Sequence, residues 1–237
     1  MAAERVNRKG QPSLAVIVAA RNEADRVAET VRALRGAFPA AAIWVADDAS
    51  EDGTAEVAMA AGAQVVSRRR PHGKGANMTA AAEAALSANP APELVLLCDG
   101  DLGASASNLQ PLLAAVAAGE CDLAVAAFSR RLGGGFGIAL GFARWAIRRR
   151  CDFEAAAPIS GQRALRAGVL RATLPFASGY GMELGMTVDA VRAGYRVAEY
   201  ELDLSHRATG RNLAGFAHRT RQLVDFARAY LARRRAA

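Results

Sequence analysis

A chain of 237 residues that is 52% hydrophobic and 22% charged can bury one full α/β core and needs no second domain. No apolar run reaches the length of a membrane span, Met1 to Pro12 is polar without a signal segment, and Cys98, Cys121 and Cys151 suggest neither disulfides nor a zinc site, so a cytoplasmic protein is expected. The net charge of +7 and pI near 10.0 would suggest an anionic partner, but the cations are nearly all arginine in an alanine-rich chain, as GC-rich coding produces, and Arg68 to Arg70, Arg148 to Arg150 and Arg233 to Arg235 read first as solvated faces.

In chain order, Leu14 to Ala19 reads as a strand, and the spacing of Val27, Val31 and Leu34 predicts a helix over Glu23 to Leu34. Ile43 to Ala46 is a second strand running into Asp47 to Thr54, whose turn and capping residues open a helix carrying Val57 and Met59. Val65-Val66 is a third strand, and a helix from Ala76 through Leu86 is broken by Pro90 and Pro92. A strand from Leu94 then ends in Asp99-Gly100-Asp101. Ser105 or Ser107 is placed to cap a helix bearing Leu109, Leu112, Leu113 and Val116, followed by a strand over Leu123 to Ala126. This β-α repetition predicts a doubly wound, mostly parallel sheet flanked by helices in a single domain.

The second half is less regular. Arg130 to Gly141 is glycine-rich and reads either as a mobile lid or as an ordinary surface loop. Phe142 to Arg150 is a short basic helix, Pro158 to Leu165 extended, Tyr180 to Val191 helical and Tyr195 to Leu204 a strand. Asn212 to Leu231 is an amphipathic helix that packs on the domain or lies on an anionic membrane surface. The expected divisions are a flexible N-terminus over 1–12, a nucleotide-sugar half over 13–128, an acceptor and catalytic half over 129–211 and the basic helix over 212–237.

Asp99 and Asp101 are the most informative residues. An apolar strand cannot keep unpaired carboxylates in its interior, so they belong at its carboxyl end, where parallel α/β sheets bind ligands. Two-residue periodicity would put them on one side, suiting a hard divalent cation, although a polar turn after the strand explains the same pattern. Lys9 and Lys74 are the only lysines, which singles out Gly73-Lys74-Gly75. The glycines let an ammonium approach phosphates closely, yet the pattern lacks the spacing of a Walker A loop.

Four segments in order, Ala15 to Glu23, Asp47 to Thr54, Gly73 to Gly75 and Asp99 to Asp101, resemble the motifs of family-2 glycosyltransferases of the GT-A fold. Pro175 to Gly185 and Ser205-His206-Arg207 are similar to segments of glucosyl-3-phosphoglycerate synthases, and the Gly-Lys-Gly run is shared with polyprenyl-phosphate sugar transferases. The resemblance implies a UDP- or GDP-sugar donor, with Ala19, Arg21 and Glu23 among the donor-binding residues and Asp48 accepting a hydrogen bond from the base, a role that suits an acceptor-only carboxylate. Asp47, Asp48 and Ser50 could instead cap the following helix. By the same resemblance Lys74 faces the diphosphate, Asp101 binds Mg²⁺ or Mn²⁺ with His206 as a further ligand, and Asp99 binds the ribose or a metal-bound water. Arg207 and Arg211 then face phosphates or an anionic acceptor. Glu183 lies on the acceptor side, as base in an inverting enzyme or sugar-orienting group in a retaining one; the alternative, a glutamate interacting with the dipole at a helix N-terminus, is compatible with either.

Gly135-Phe136-Gly137-Ile138 is apolar where phosphoglycerate-using relatives carry a glycine-arginine pair, so the acceptor stays open among small phosphorylated, hydroxylated and polyprenyl-phosphate molecules. Peripheral membrane contact and a homodimer stay open too, and no nucleic-acid partner is expected. The competing readings are a sugar-phosphate nucleotidyltransferase, whose Gly-x-Gly-Thr-Arg loop is replaced here by Ala19 to Glu23, and a basic nucleic-acid-binding protein.

Overall fold

A computed structural model describes residues 12–128, 137–204 and 213–233, the last with side chains from residue 222 onward. The strands are β1 (Leu14–Ala20), β2 (Ala42–Asp47), β3 (Gln64–Ser67), β4 (Leu94–Asp99), β5 (Leu123–Phe128), β6 (Arg163–Arg166) and β7 (Val197–Leu202), and they form one sheet in the order β3-β2-β1-β4-β6-β5-β7. Every neighbouring pair is parallel except those of β6, which is antiparallel to both β4 and β5. The helices are α1 (Val27–Ala37), α2 (Thr54–Ala60), α3 (Lys74–Leu86), α4 (Gln110–Ala117), α5 (Ile138–Cys151), α6 (Ala167–Thr173), α7 (Met182–Arg192) and α8 (Leu213–Ala232).

Strand alternation sorts the core into two layers. Val16, Val18, Val45, Leu96 and Cys98 pack with Val27, Val31 and Leu34 of α1 and Leu112 and Val116 of α4 on one side of the sheet. Ile17, Val95, Leu97 and Leu165 face Met78 of α3, Val169 of α6 and Met186 of α7 on the other. A third cluster joins Ala146 and Ile147 of α5, Leu184 and Val188 of α7 and Phe226 and Ala229 of α8.

The doubly wound architecture is as predicted, with local differences. α1 begins at Val27 because Glu23 enters a turn: Asn22 has φ of 54°, and the Glu23 N–H donates to Thr54 Oγ1 at 2.9 Å. Ser105 and Ser107 are not caps; their hydroxyls donate to the Leu102 and Ala104 carbonyls at 2.7 and 2.9 Å, inside a 3₁₀ stretch that leads into α4. Pro158 to Leu165 is mostly irregular, with only Arg163–Arg166 paired, and α6 went unread because its seven residues carry too little periodicity. β4 stops at Asp99, so a turn rather than strand pleating places Asp101. Residues 1–11 and 129–136, which include most of the glycine-rich segment and nearly all of the expected N-terminal arm, lie outside the described residues.

Candidate active site

The carboxyl ends of β1, β2 and β4 lie side by side, with Ala19 in register with Asp99 and Ala20 with Asp47. The Ala19 carbonyl accepts the Gly100 N–H at 2.8 Å and the Ala20 carbonyl accepts the Asp48 N–H at 3.1 Å, so both aspartate loops are tied to β1. Arg21 is exposed, its guanidinium 3.7 Å from Asp48 Oδ2. Glu23 spaces β1 from α1, its carbonyl accepting the Val27 N–H at 2.8 Å.

Asp48 is buried, and its two oxygens accept the backbone N–H groups of His72 at 2.8 Å and Gly73 at 3.0 Å. It therefore fixes the loop that delivers Lys74, and a carboxylate with about four acceptor positions keeps capacity for a further donor. Neither Asp47, Asp48 nor Ser50 caps α2. Asp47 accepts from Ser67 Oγ at 2.7 Å and the Ser50 N–H at 3.3 Å, while Asp52 accepts the Thr54 N–H at 3.0 Å.

Lys74 is the first residue of α3, and Gly73 before it has φ of 84°, a left-handed value that favours glycine. Asp99 shares its strand face with Val95 and Leu97, the face covered by α3 and α7. The Lys74 ammonium accordingly lies 2.6 Å from Asp99 Oδ1 and 2.7 Å from Glu183 Oε1. Burial alone would push this ammonium down, but Asp99 and then Glu183 outweigh it, holding Lys74 above the ordinary lysine value of 10.5. Glu183 is only 4% exposed and sits in the first turn of α7, so the helix-terminus placement holds alongside the ion pair.

Three residues the sequence reading passed over complete this cluster. Gln162 Nε2 donates to Asp99 Oδ2 at 2.7 Å, so each Asp99 oxygen is engaged by a different side chain. Arg163, 1% exposed, donates through Nε to the Ser160 carbonyl at 2.8 Å and through Nη1 to Thr187 Oγ1 at 3.0 Å; the Thr187 hydroxyl donates to the Glu183 carbonyl at 3.0 Å. Burial lowers the Arg163 guanidinium to about 10, with Glu183 the main group opposing that fall. Asp225 on α8 accepts the Tyr180 N–H at 3.2 Å, fixing the turn before Glu183. A polar pair at the start of a short buried strand was the available signal for Gln162 and Arg163; nothing local marked Asp225.

Asp101 is half-buried in the turn after β4. His206, Arg207 and Arg211 lie outside the described residues, and among the described residues no group of three histidine, cysteine or acidic side chains could hold a metal. The donor chemistry nonetheless fits a hard cation. Asp101 offers carboxylate oxygens at the ligand-binding edge beside Asp99, with no thiolate in the set.

The profile of "Glycosyl transferase family 2" matches residues 15–172. The chain belongs to this family. The glycosyltransferase is similar in structure to glucosyl-3-phosphoglycerate synthase from Mycobacterium tuberculosis in complex with Mg²⁺ and uridine diphosphate, with a TM-score of 0.75 and 25% identity over 96% of this chain and 82% of that one. The same enzyme in complex with phosphoglyceric acid gives a TM-score of 0.74 and 25% identity, covering 95% and 81%. Its complex with Mn²⁺, uridine-diphosphate-glucose and phosphoglyceric acid, at 24% identity and a TM-score of 0.73 over 94% and 81%, shows the shared fold. Curated proteins give no significant match to the sequence. Family membership sets the enzyme class and displaces the nucleotidyltransferase reading.

Proposed function

We propose that this glycosyltransferase moves a hexose from a UDP- or GDP-sugar, with Mg²⁺ or Mn²⁺, to a hydroxyl or phosphate oxygen of a small or polyprenyl-phosphate acceptor. The observation that carries the reading is the Lys74 bridge, which joins Asp99 at the donor edge to Glu183 at the start of α7. The likeness to synthase complexes containing Mg²⁺ with uridine diphosphate supports both the donor class and the cation.

In the reaction an acceptor oxygen forms a bond to the anomeric carbon as the bond to the nucleoside diphosphate breaks. Asp48 meets the base, and Asp101, with His206, would hold the cation. The cation supplies charge neutralisation for the departing diphosphate. Lys74 adds a positive charge at the same edge, while Asp99, oriented by Lys74 and Gln162, is supported as the ribose or water partner. Glu183 receives the proton of a hydroxyl acceptor if the anomeric configuration inverts, and orients the sugar if it is retained; an ionised phosphate oxygen attacks with no proton to remove.

Calorimetric titration with UDP, GDP and their glucose and mannose conjugates, with and without Mg²⁺ or Mn²⁺, tests this reading. Cation-dependent binding of one nucleotide is expected. Absence of binding to all of them overturns the donor assignment.

A further inference from the structure

Outside the nucleotide edge, the most distinctive surface belongs to α5. Its solvent side carries Ile138, Arg144, Trp145, Arg148 and Arg149 at helical spacing, opposite the buried Ala143, Ala146 and Ile147. Ile138 is 66% and Trp145 51% exposed. The indole is nevertheless held in place. Its ring centroid lies 5.0 Å from that of Tyr230 on α8 and 5.5 Å from that of Phe142, and the Arg150 guanidinium stacks 3.6 Å from the Tyr230 centroid. α8 also exposes Val224 and Leu231, with Arg228 between them in sequence and 3.6 Å from Asp225 Oδ1.

We infer that α5 and the adjoining part of α8 form a docking face for an anionic lipid surface. A rigid, half-exposed indole backed by a partly buried tyrosine and flanked by arginines matches the headgroup layer, where aromatic rings settle and guanidinium groups meet lipid phosphates. The countercharges on this stretch are Asp152 and Glu154. Glu154 meets Arg148 at 3.3 Å in a pair too exposed to hold it, and Arg144 also donates to the Ala156 carbonyl at 2.8 Å. Four arginines of α5 against these two acids leave the face cationic. A second copy of the chain packed through a two-fold axis would bring two patches of the same positive net charge together. Nucleic acid would satisfy the arginines but leave Ile138, Val224 and Leu231 in water. The face also has a geometric relation to the active edge: α5 follows β5, which runs parallel to β4, so Phe128 and Asp99 end at the same side of the sheet.

Co-sedimentation of the full chain with phosphatidylcholine vesicles, with and without phosphatidylglycerol, tests the inference. Emission is read in a Trp44→Phe background so that Trp145 reports alone. Binding is expected only to vesicles containing phosphatidylglycerol, reversed by high salt, with a blue shift of Trp145 emission. Trp145→Ala, and Arg148→Glu with Arg149→Glu, should each weaken binding at least ~tenfold, whereas Arg148→Lys with Arg149→Lys retains it. Thermal melts confirm that each variant is folded, and nucleotide titration reads the donor site separately. Equal binding to both vesicle types, indifference to the variants, or no binding overturns the inference. So does concentration-dependent burial of Trp145 without lipid, which would assign the face to a second copy, or capture of an oligonucleotide in place of vesicles.

Discussion

Replacing Lys74 by methionine would leave Asp99 and Glu183 facing each other across a largely enclosed gap with no cation between them. Losing one member of such a cluster costs about 3 kcal/mol, or roughly 6–12 °C of melting temperature for a domain of this size, readable by calorimetry. The pH behaviour follows from the raised ammonium. Its contribution is fully present below the ordinary lysine value of 10.5 and is lost only as pH rises through the higher folded value. The stability gap between wild type and Lys74→Met should therefore show no loss of the Lys74 contribution between pH 6 and 9, and a gap that closes across that range would contradict the assignment. Glu183→Gln preserves shape and tests the acceptor role: turnover should fall about 10²-fold or more with nucleotide affinity little changed. Equal loss of both would move Glu183 to the donor side. Lys74 and Asp99 stood out in the sequence because each sits in a local motif with its own chemistry, whereas the bridge that joins them to Glu183 spans more than a hundred residues and leaves no local pattern. Gln162 and Asp225 did not stand out, since their roles exist only through partners 63 and 45 residues away.

At the level of elements, the site depends on close backbone approaches. A Cβ at Gly161 would fall 2.7 Å from Asp99 Oδ2 and 2.8 Å from the Lys74 ammonium. Gly161→Ala should therefore pull the pair apart and lower turnover about tenfold or more while leaving the melting temperature within a few degrees, because only side-chain ends must shift. Gly75 differs: its added Cβ would collide with the Ala177 carbonyl, a backbone atom, forcing α3 away from the segment before α7. Gly75→Ala should lower stability as well as activity, by about 1–3 kcal/mol in denaturant melts. The parallel strands were readable because apolar runs end abruptly in polar loops. β6 was not resolved as a strand because its four residues include two arginines, one of them buried, and no alternation survives in so short a span.

Across the whole molecule, α8 packs against α5 and α7 and ties them together. Phe226, 1% exposed, packs into the cluster shared by α5 and α7, while Asp225 holds the turn leading to Glu183. Phe226→Ala should cost about 3–5 kcal/mol in chemical denaturation, and a change below that range would show that α8 is a loose attachment. Among the described residues no helix is long and apolar enough to cross a membrane. The overall layering was legible from β-α repetition, but the interleaving of the halves was not, because hydrophobic pattern does not record strand order. That interleaving limits how the chain can be divided. β4 and β5 are both contributed before residue 129, yet they are joined through β6 from the second half. A fragment cut after β5 would have a slot one strand wide between β4 and β5, and a synthesising ribosome must release Arg166 before the sheet can close. Recombination with a relative at that junction would therefore have to supply a matching β6, so the segments on either side of it are inherited as a single unit.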